Sequence, residues 1–291
     1  MSRNLLARSL LFVPGTAGPR IDKALKTGAD AIIIDLEDSV ALSEKAVGRA
    51  AVIEVLKAPR TKPIYVRINA VETALCFVDL NQVARARPDG IVLPKVEQPH
   101  DILTIHWLLN AIELDLDMEP GHIVLLPTIE SAKGLAAAEA IAGASARVER
   151  LAFGGLDLGL DLGMDLADGS RALDCCRFAI AAASRSAGIP GPLDSAFVNI
   201  HDEEGFRASA TTAKQFGFTG KGCIHPLQVS PANAVFMPSE KEVERAKKIV
   251  TLFERSEGRG IAAIQIDGEM VDYPIFRRAQ QILAFAAATA S

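Results

Sequence analysis

Cysteine, histidine and aromatic residues are scarce in this sequence, and long runs of one chemical character are absent. The four cysteines, Cys76, Cys175, Cys176 and Cys223, form no Cys-x-x-Cys pair and two are adjacent, so neither a zinc cluster nor a disulfide framework is expected. Reduced thiols fit that pattern. The remaining soft ligands, His100, His106, His122, His201 and His225, show no metal-ligand spacing, and His225 in GCIHP reads equally well as a packed or a catalytic side chain. The net charge of −5 hides no basic run, which removes nucleic acid from the expected partners. No apolar run approaches a membrane span, and the Ala-rich tail ILAFAAATAS continues a helical pattern instead. The opening stretch MSRNLLARSLLFVPG carries Arg3 and Arg8 but too short an apolar run for a signal peptide. A soluble, cytoplasmic protein without membrane contact is expected.

What the chain does have is apolar bulk, 49% of its 291 residues, enough for one large domain with an appendage. RSLLFV, AIIIDL, PIYVRIN, DGIVLPK, HIVLLPTIE, VERLAFG, LDSAFVNI and GKGCIHP read as eight strands. Helical patterns fall between most of them: SEKAVGRAAVIEVLK, HDILTIHWLLNAIE, SAKGLAAAEAIAGA, SRALDCCRFAIAAASRSAG and EEGFRASATTAKQFG. Continuously apolar strands belong to a parallel sheet covered on both faces. The alternation over residues 1–230 therefore predicts an α/β fold of the TIM (β/α)8 barrel type. A doubly wound sheet is the rival, but FVPGTAG matches its GxGxxG fingerprint poorly. Over residues 231–291 the rhythm changes. PSEKEVERAKKIVTLFERSEG predicts one charged amphipathic helix begun at Pro238 and Ser239 and stopped at Gly258, and IAAIQIDGEMVDYP predicts a hairpin with an Asp-Gly turn. A last helix follows, and this C-terminal extension is expected to act as a lid or oligomer contact.

Chemistry in such a barrel collects at the C-terminal ends of the strands. Those positions hold Asp35, Glu37, Asp38, Arg67, Asn69, Lys95, Glu97, Glu130, Asp157, Asn199 and His225. One arginine among many carboxylates suggests a divalent cation, and Mg2+ takes one or two carboxylates together with waters and substrate oxygens. Glu130 in LPTIES and Asp157 in GGLDLGLDLG supply two carboxylates from neighbouring strands, with Asp161 and Asp165 competing for the second place. A chelating 2-oxo or 2-hydroxy acid would fill the open positions. Structural roles compete: Asp35, Glu37, Asp38 and Glu130 are placed to cap helices, and Lys95 is close enough in sequence to pair with Glu97. Gly15 and Gly18, flanked by Arg8 and Arg20, allow either a ligand's close approach or a tight turn with surface arginines.

RSLLFVPG, IIDLEDSVALSEK, VRIN, LPKVE, the TIES stretch, FGGLDLGLDLG, GFTGKGCIHPLQV and GEMVDYP occur in that order from about residue 8 to residue 280. Together they resemble the citrate lyase β-subunit-like branch of the HpcH/HpaI aldolase superfamily. The resemblance implies a TIM barrel holding Mg2+, or Mn2+ in its place, on Glu130 and Asp157. It implies Arg67 on the acid or its reacting oxygen, and Glu37 and Asp38 holding metal-bound waters. Asp272, in MVDYP, would arrive from a neighbouring subunit of a homotrimer or hexamer as acid/base on the acyl-thioester carbon. An acyl-CoA or acyl-carrier thioester is the implied substrate, with Arg8, Gly15 and Lys95 expected beside Arg67 in binding it. Where many relatives have an acid before the metal aspartate, this chain has Leu156.

The implied reaction is reversible cleavage of a 3-hydroxyacyl thioester, citramalyl-CoA, malyl-CoA or a citryl thioester, to an oxo acid and acetyl-CoA. Two alternatives stay open. One is a metal-independent aldolase using Lys95 as a Schiff base; the other is a non-catalytic binding or assembly subunit.

Overall fold

Eight short strands, the first five of them rich in branched aliphatic residues, pair with one another in chain order until the last meets the first. The strands are β1 (Ser9–Pro14), β2 (Ala31–Asp35), β3 (Ile64–Arg67), β4 (Gly90–Leu93), β5 (Val124–Ile129), β6 (Ala152–Phe153), β7 (Leu193–Asp194) and β8 (Gly220–Cys223). All neighbours are parallel, and β1 pairs with both β2 and β8, closing the eight-stranded barrel. The computed structural model describes residues 7–166 and 171–290. Arg3, and Ser170 at the start of an expected helix, lie outside the described residues, as does Ser291.

Alternation along the strands sorts side chains between two cores. Ile32, Ile34, Val66 and Leu93 face outward into the layer shared with the helices, where Leu80, Ile105 and Ile180 meet them. Leu10, Ile33, Val92, Leu126 and Leu193 face the barrel interior. The five expected helices form, with SAKGLAAAEAIAGA split into Ala132–Ala136 and Ala138–Ala142. Helices Gly18–Leu25, Ala74–Arg85 and Gly155–Asp161 complete the strand–helix alternation where the sequence offers no conspicuous helical pattern. Buried ion pairs tie the layers together: Arg49 Nε lies 2.7 Å from Asp79, and Asp194 takes both Arg177 at 3.0 Å and Lys221.

Two strands are shorter than their apolar runs predict. Of VERLAFG only Ala152–Phe153 forms strand, with Val148 making an isolated bridge to Leu125. Of LDSAFVNI only Leu193–Asp194 does, because Phe197 turns to pack edge-on against Phe206, ring centroids 6.1 Å apart, and its carbonyl accepts a 2.7 Å bond from Gln228. Asn199 therefore falls in an exposed loop, where its side chain accepts from the His201 N–H, and it is not a strand-end group.

The chain divides into two compact units, Met1–Phe236 and Met237–Ser291. The helix Val229–Phe236 belongs to the first, since Val229, Ala232 and Phe236 are buried in the outer core of the barrel. In the second unit, helix Glu240–Glu257 begins at a capping box in which Ser239 and Glu242 satisfy each other's backbone N–H groups. Strands β9 (Ile264–Ile266) and β10 (Glu269–Val271) form an antiparallel hairpin. Its turn places Asp267 and Gly268 at φ 52° and 85°, the left-handed pair that an Asp-Gly turn requires. Phe253 stacks on Phe276 of the last helix, Tyr273–Ala290, at 4.7 Å. Among the described residues, no helix is long and apolar enough to cross a membrane.

Candidate active site

Strand register builds the site's first element. Asp35 ends β2 directly opposite Arg67 at the end of β3, and the two side chains meet in a bidentate pair, Nε to Oδ1 at 2.6 Å and Nη2 to Oδ2 at 2.8 Å. Asp35 also accepts the N–H groups of Glu37 and Ser39, so its carboxylate is held from two sides. Burial opposes the charged form of both partners. The bond to Arg67 nevertheless leaves Asp35 below its ordinary pKa, and the bond to Asp35 with the charges of Asp35, Glu37 and Asp38 raises that of Arg67. The guanidinium also lies over the Phe12 ring, 5.3 Å from its centroid. Asp35 was a strand-end candidate in the sequence, with helix capping as its competing role; the structure pairs it with Arg67. Only the register of β2 on β3 identifies it as the brace of Arg67.

A second layer of charge stands beside this pair. Glu37 is buried, takes Lys95 Nζ on Oε1 at 2.7 Å, and leaves Oε2 without a hydrogen-bond partner, 3.2 Å from Arg67 Nη1. Burial raises its pKa above the ordinary value despite the two cations. Asp38 is exposed, 3.8 Å from Arg67 and 3.9 Å from Lys95. Lys95 pairs with Glu37 and not with Glu97, which takes Lys133 instead at 3.2 Å. Burial would lower the Lys95 pKa, but the bond to Glu37 and the surrounding carboxylates raise it, keeping the ammonium protonated. A Schiff-base lysine needs the reverse shift. Lys95 also adopts φ 51°, and this left-handed turn aims its backbone N–H at Glu130 Oε1, 2.7 Å away.

Glu130 is buried just beyond the end of β5, and Ser131, not Glu130, caps the helix that follows by accepting from Gly134. Gly154, after β6, makes room for it, because a Cβ there would overlap the Glu130 carboxylate. Burial first, then the charges of Glu37 and Asp157, push the Glu130 pKa to about 8 against the Lys95 N–H bond. Asp157 lies in the first turn of helix Gly155–Asp161 and lines the same cavity. Asp161 is occupied elsewhere, accepting the Ala132 N–H at 2.7 Å. Glu130 and Asp157 thus face one space in which a cation would relieve both. The residues fit a divalent ion with oxygen ligands. Among the described residues, no group of three or more His, Cys, Asp or Glu could hold a metal, so substrate or water oxygens would complete a shell on this pair.

A cavity of about 440 Å3 opens over these groups, lined by Asp35, Arg67, Glu130, Asp157 and, at its rim, Leu156. Several expected residues lie elsewhere. Arg8 precedes β1 at the opposite end of the barrel, its Nε 2.8 Å and Nη2 2.9 Å from Asp30, which takes it away from the mouth. Gly15 is a packing glycine: its N–H bonds to the Asp35 carbonyl at 2.8 Å, and a Cβ would press on Leu36 at 2.7 Å. Arg20 is exposed, and Asn69 is buried against Asp79 and the Leu36 carbonyl. His225 accepts from Leu227 N at 3.3 Å as a helix cap. Asp272 opens the last helix, its Oδ1 3.4 Å from the Ile275 N–H, with Met270 and Tyr273 exposed beside it.

The profile of the HpcH/HpaI aldolase/citrate lyase family matches residues 8–226. The chain is 36% identical over 280 residues to the citrate lyase subunit beta of Haemophilus influenzae, covering 96% of each. It is 35% identical over 299 aligned positions to the L-malyl-CoA/beta-methylmalyl-CoA lyase of Cereibacter sphaeroides, covering 95% of this chain and 93% of that one. Its fold matches the crystal structure of protein CitE from Mycobacterium tuberculosis in complex with magnesium, acetoacetate and coenzyme A, with a TM-score of 0.82 and 28% identity. That match covers 98% of this chain and 100% of the other. The chain belongs to the HpcH/HpaI aldolase/citrate lyase family.

Proposed function

We propose that the protein is a Mg2+-dependent carbon–carbon lyase that cleaves a 3-hydroxyacyl-CoA thioester to an oxo acid and acetyl-CoA. Citramalyl-CoA and malyl-CoA rank above citryl thioesters as candidates. The observation that carries this reading is the pair Glu130 and Asp157 facing the braced guanidinium of Arg67 across one cavity. Relatives named for citrate and malyl-CoA lyase activity, and a structural neighbour holding magnesium and coenzyme A, support it. Mg2+ bound by Glu130 and Asp157 would supply a Lewis acid for the hydroxyl and carboxylate oxygens of the substrate.

The protein's own groups do the rest. Arg67, fixed by Asp35, carries charge that develops on the substrate oxygen as the hydroxyl proton passes to solvent water in the open mouth. The electron pair of that oxygen forms the oxo group while the carbon–carbon pair moves to the thioester as an enolate. Asp272 of a neighbouring subunit delivers the proton to the enolate carbon. Lys95 holds Glu37 through its ammonium and Glu130 through its N–H, so it acts as a positioning residue.

Incubating the protein with malyl-, citramalyl- and citryl-CoA and Mg2+ tests the reading: acetyl-CoA release from at least one is expected, and release from none contradicts it. Asp157→Ala should abolish cleavage, while Asp161→Ala should cost only the bond to Ala132 N–H, about 0.5–2 kcal/mol of stability, with most activity kept. Equal losses of rate at the two positions overturn the ligand assignment. Arg67→Lys replaces a fork by a point charge and should lower kcat/KM by roughly 10- to 1,000-fold, about 1.4 to 4 kcal/mol. A fully active Arg67→Lys enzyme removes Arg67 from the mechanism.

A further inference from the structure

The outward faces of helices around a barrel normally meet water and carry polar side chains. Helix Glu203–Gln215 follows that rule, turning Glu203, Glu204 and Gln215 outward. Helix Pro99–Asp115 does not. It buries Ile102, Ile105, Leu109 and Ile112, yet its outer face carries Leu103, Trp107 and Leu114, spaced to form one stripe. Trp107, the single tryptophan of the chain, is 69% exposed and Leu114 is 63% exposed. On the neighbouring helix Ala74–Arg85, Phe77 and Val78 are exposed as well. Arg85 Nη1 and Asp115 Oδ2, 2.7 Å apart, tie the last turns of the two helices together. Both helices follow strands of one parallel sheet and so run the same way. Counting the same distance back along each, at about 1.5 Å per residue, brings Phe77 level with Trp107. The five side chains make one apolar patch on the flank of the barrel.

Area and charge say what covers it. Large apolar side chains offer about 150–250 Å2 each, so the exposed fractions of these five leave roughly 500 Å2 of apolar surface. That is near the top of what a monomer shows to water. Two such patches face to face bury roughly 1,000 Å2 before any rim is counted, which reaches the size of a specific interface. The exposed positions among them, Ala74, Gln82, Thr104 and Ala111, carry no charge. Exposed Arg85 and Asp115 are paired with each other. The face can therefore meet its own image without like-charge repulsion, whereas a strongly charged partner finds nothing on it to pair with.

We propose that this face joins two copies of the chain about a twofold axis, with Trp107 at the centre of the contact and Phe77, Val78, Leu103 and Leu114 around it. It lies on the barrel unit, apart from the exposed Met270, Tyr273 and Ile275 of the C-terminal unit. It holds whatever reaction the barrel catalyses.

The test combines the mass of the assembly, from analytical ultracentrifugation, with tryptophan fluorescence, which reports on this face alone because Trp107 has no other tryptophan beside it in the chain. Trp107→Glu should halve the mass, with the dissociation constant of the contact raised roughly 100-fold or more, while far-UV circular dichroism stays that of the wild type. Phe77→Glu should halve the mass in the same way and keeps Trp107 as the probe. Its emission should then move to longer wavelength and its quenching by acrylamide should rise above that of the wild-type assembly. If both variants fail to fold, the wild type alone decides: a blue-shifted Trp107 shielded from acrylamide supports the contact. A wild-type Trp107 as quenchable as a free side chain overturns it, because a partner of another kind, or none, is then left to cover the face. A monomeric wild type, or folded variants whose assemblies keep their mass, overturns it too.

Discussion

Replacing Glu130 by glutamine should make the metal-free protein more stable while ending the proposed Mg2+-dependent turnover. Burial and the nearby charges of Glu37 and Asp157 raise the Glu130 pKa from an ordinary 4.5 to about 8. The folded state therefore holds a proton that the unfolded chain has lost, and stability falls as pH climbs from about 4.5 through 8. Glutamine keeps an oxygen for the Lys95 N–H and removes the charge. At pH 7 the gain should be on the order of 2–3 kcal/mol, a rise of several degrees in Tm, and it should vanish near pH 4. Mg2+ should raise the Tm of the wild type and leave Glu130→Gln unmoved, since a ligand stabilises only the state that binds it. Cleavage by the variant should fall by roughly three orders of magnitude or more, as expected when a metal ligand is lost. Equal Mg2+ stabilisation of both proteins contradicts the assignment of Glu130 as a ligand.

Asp272→Ala should stop proton exchange at the methyl group of acetyl-CoA while Mg2+ still raises the Tm. Of the carboxylates lining the cavity, Asp35 is engaged by Arg67 and Asp194 by Arg177 and Lys221, Glu130 and Asp157 are the proposed cation pair, and exposed Asp38 stands 3.8 Å from Arg67 and 3.9 Å from Lys95. That leaves Asp38 as the barrel's own rival for the acid at the enolate carbon. Asp272 offers one beside exposed Met270, Tyr273 and Ile275, an apolar surface suited to burial against another copy. If Asp272 acts in trans, inactive Asp272→Ala and inactive Glu130→Ala subunits mixed together should regain part of the activity. Some interfaces would then join an intact barrel to an intact Asp272. Mixed oligomers that stay dead despite subunit exchange, or an active monomer, exclude this role.

The barrel was legible because its strands are continuous apolar runs such as AIIID, and because residues two apart share a face. Phe197 shows the limit: an apolar run after a strand signals burial, but not whether a strand or a loop does the burying. The strand-end rule likewise found Arg67, Glu37, Lys95, Glu130 and Asp157, which the fold gathers at one mouth. It could not separate Asp157 from Asp161, which needs the turn of a short helix that sends Asp161 to Ala132. Arg8 was misjudged because nearness to a glycine turn in sequence hides a whole strand between them; β1 carries Arg8 and Gly15 to opposite ends of the barrel. The roles of Asp35 and of the Lys95 backbone were illegible for another reason. One depends on interstrand register and the other on a left-handed φ, and neither leaves a local mark in the sequence.

The central claim is that carbon–carbon cleavage here runs on a divalent cation held by two carboxylates and not on a lysine adduct. The most direct measurement follows acetyl-CoA release from the best thioester substrate after chelator treatment, with Mg2+ titrated back and sodium borohydride present in a parallel sample. The account predicts loss of turnover with chelator, full recovery with Mg2+, and no borohydride-trapped adduct at Lys95. Turnover that survives the chelator, with a trapped adduct on Lys95, would contradict it.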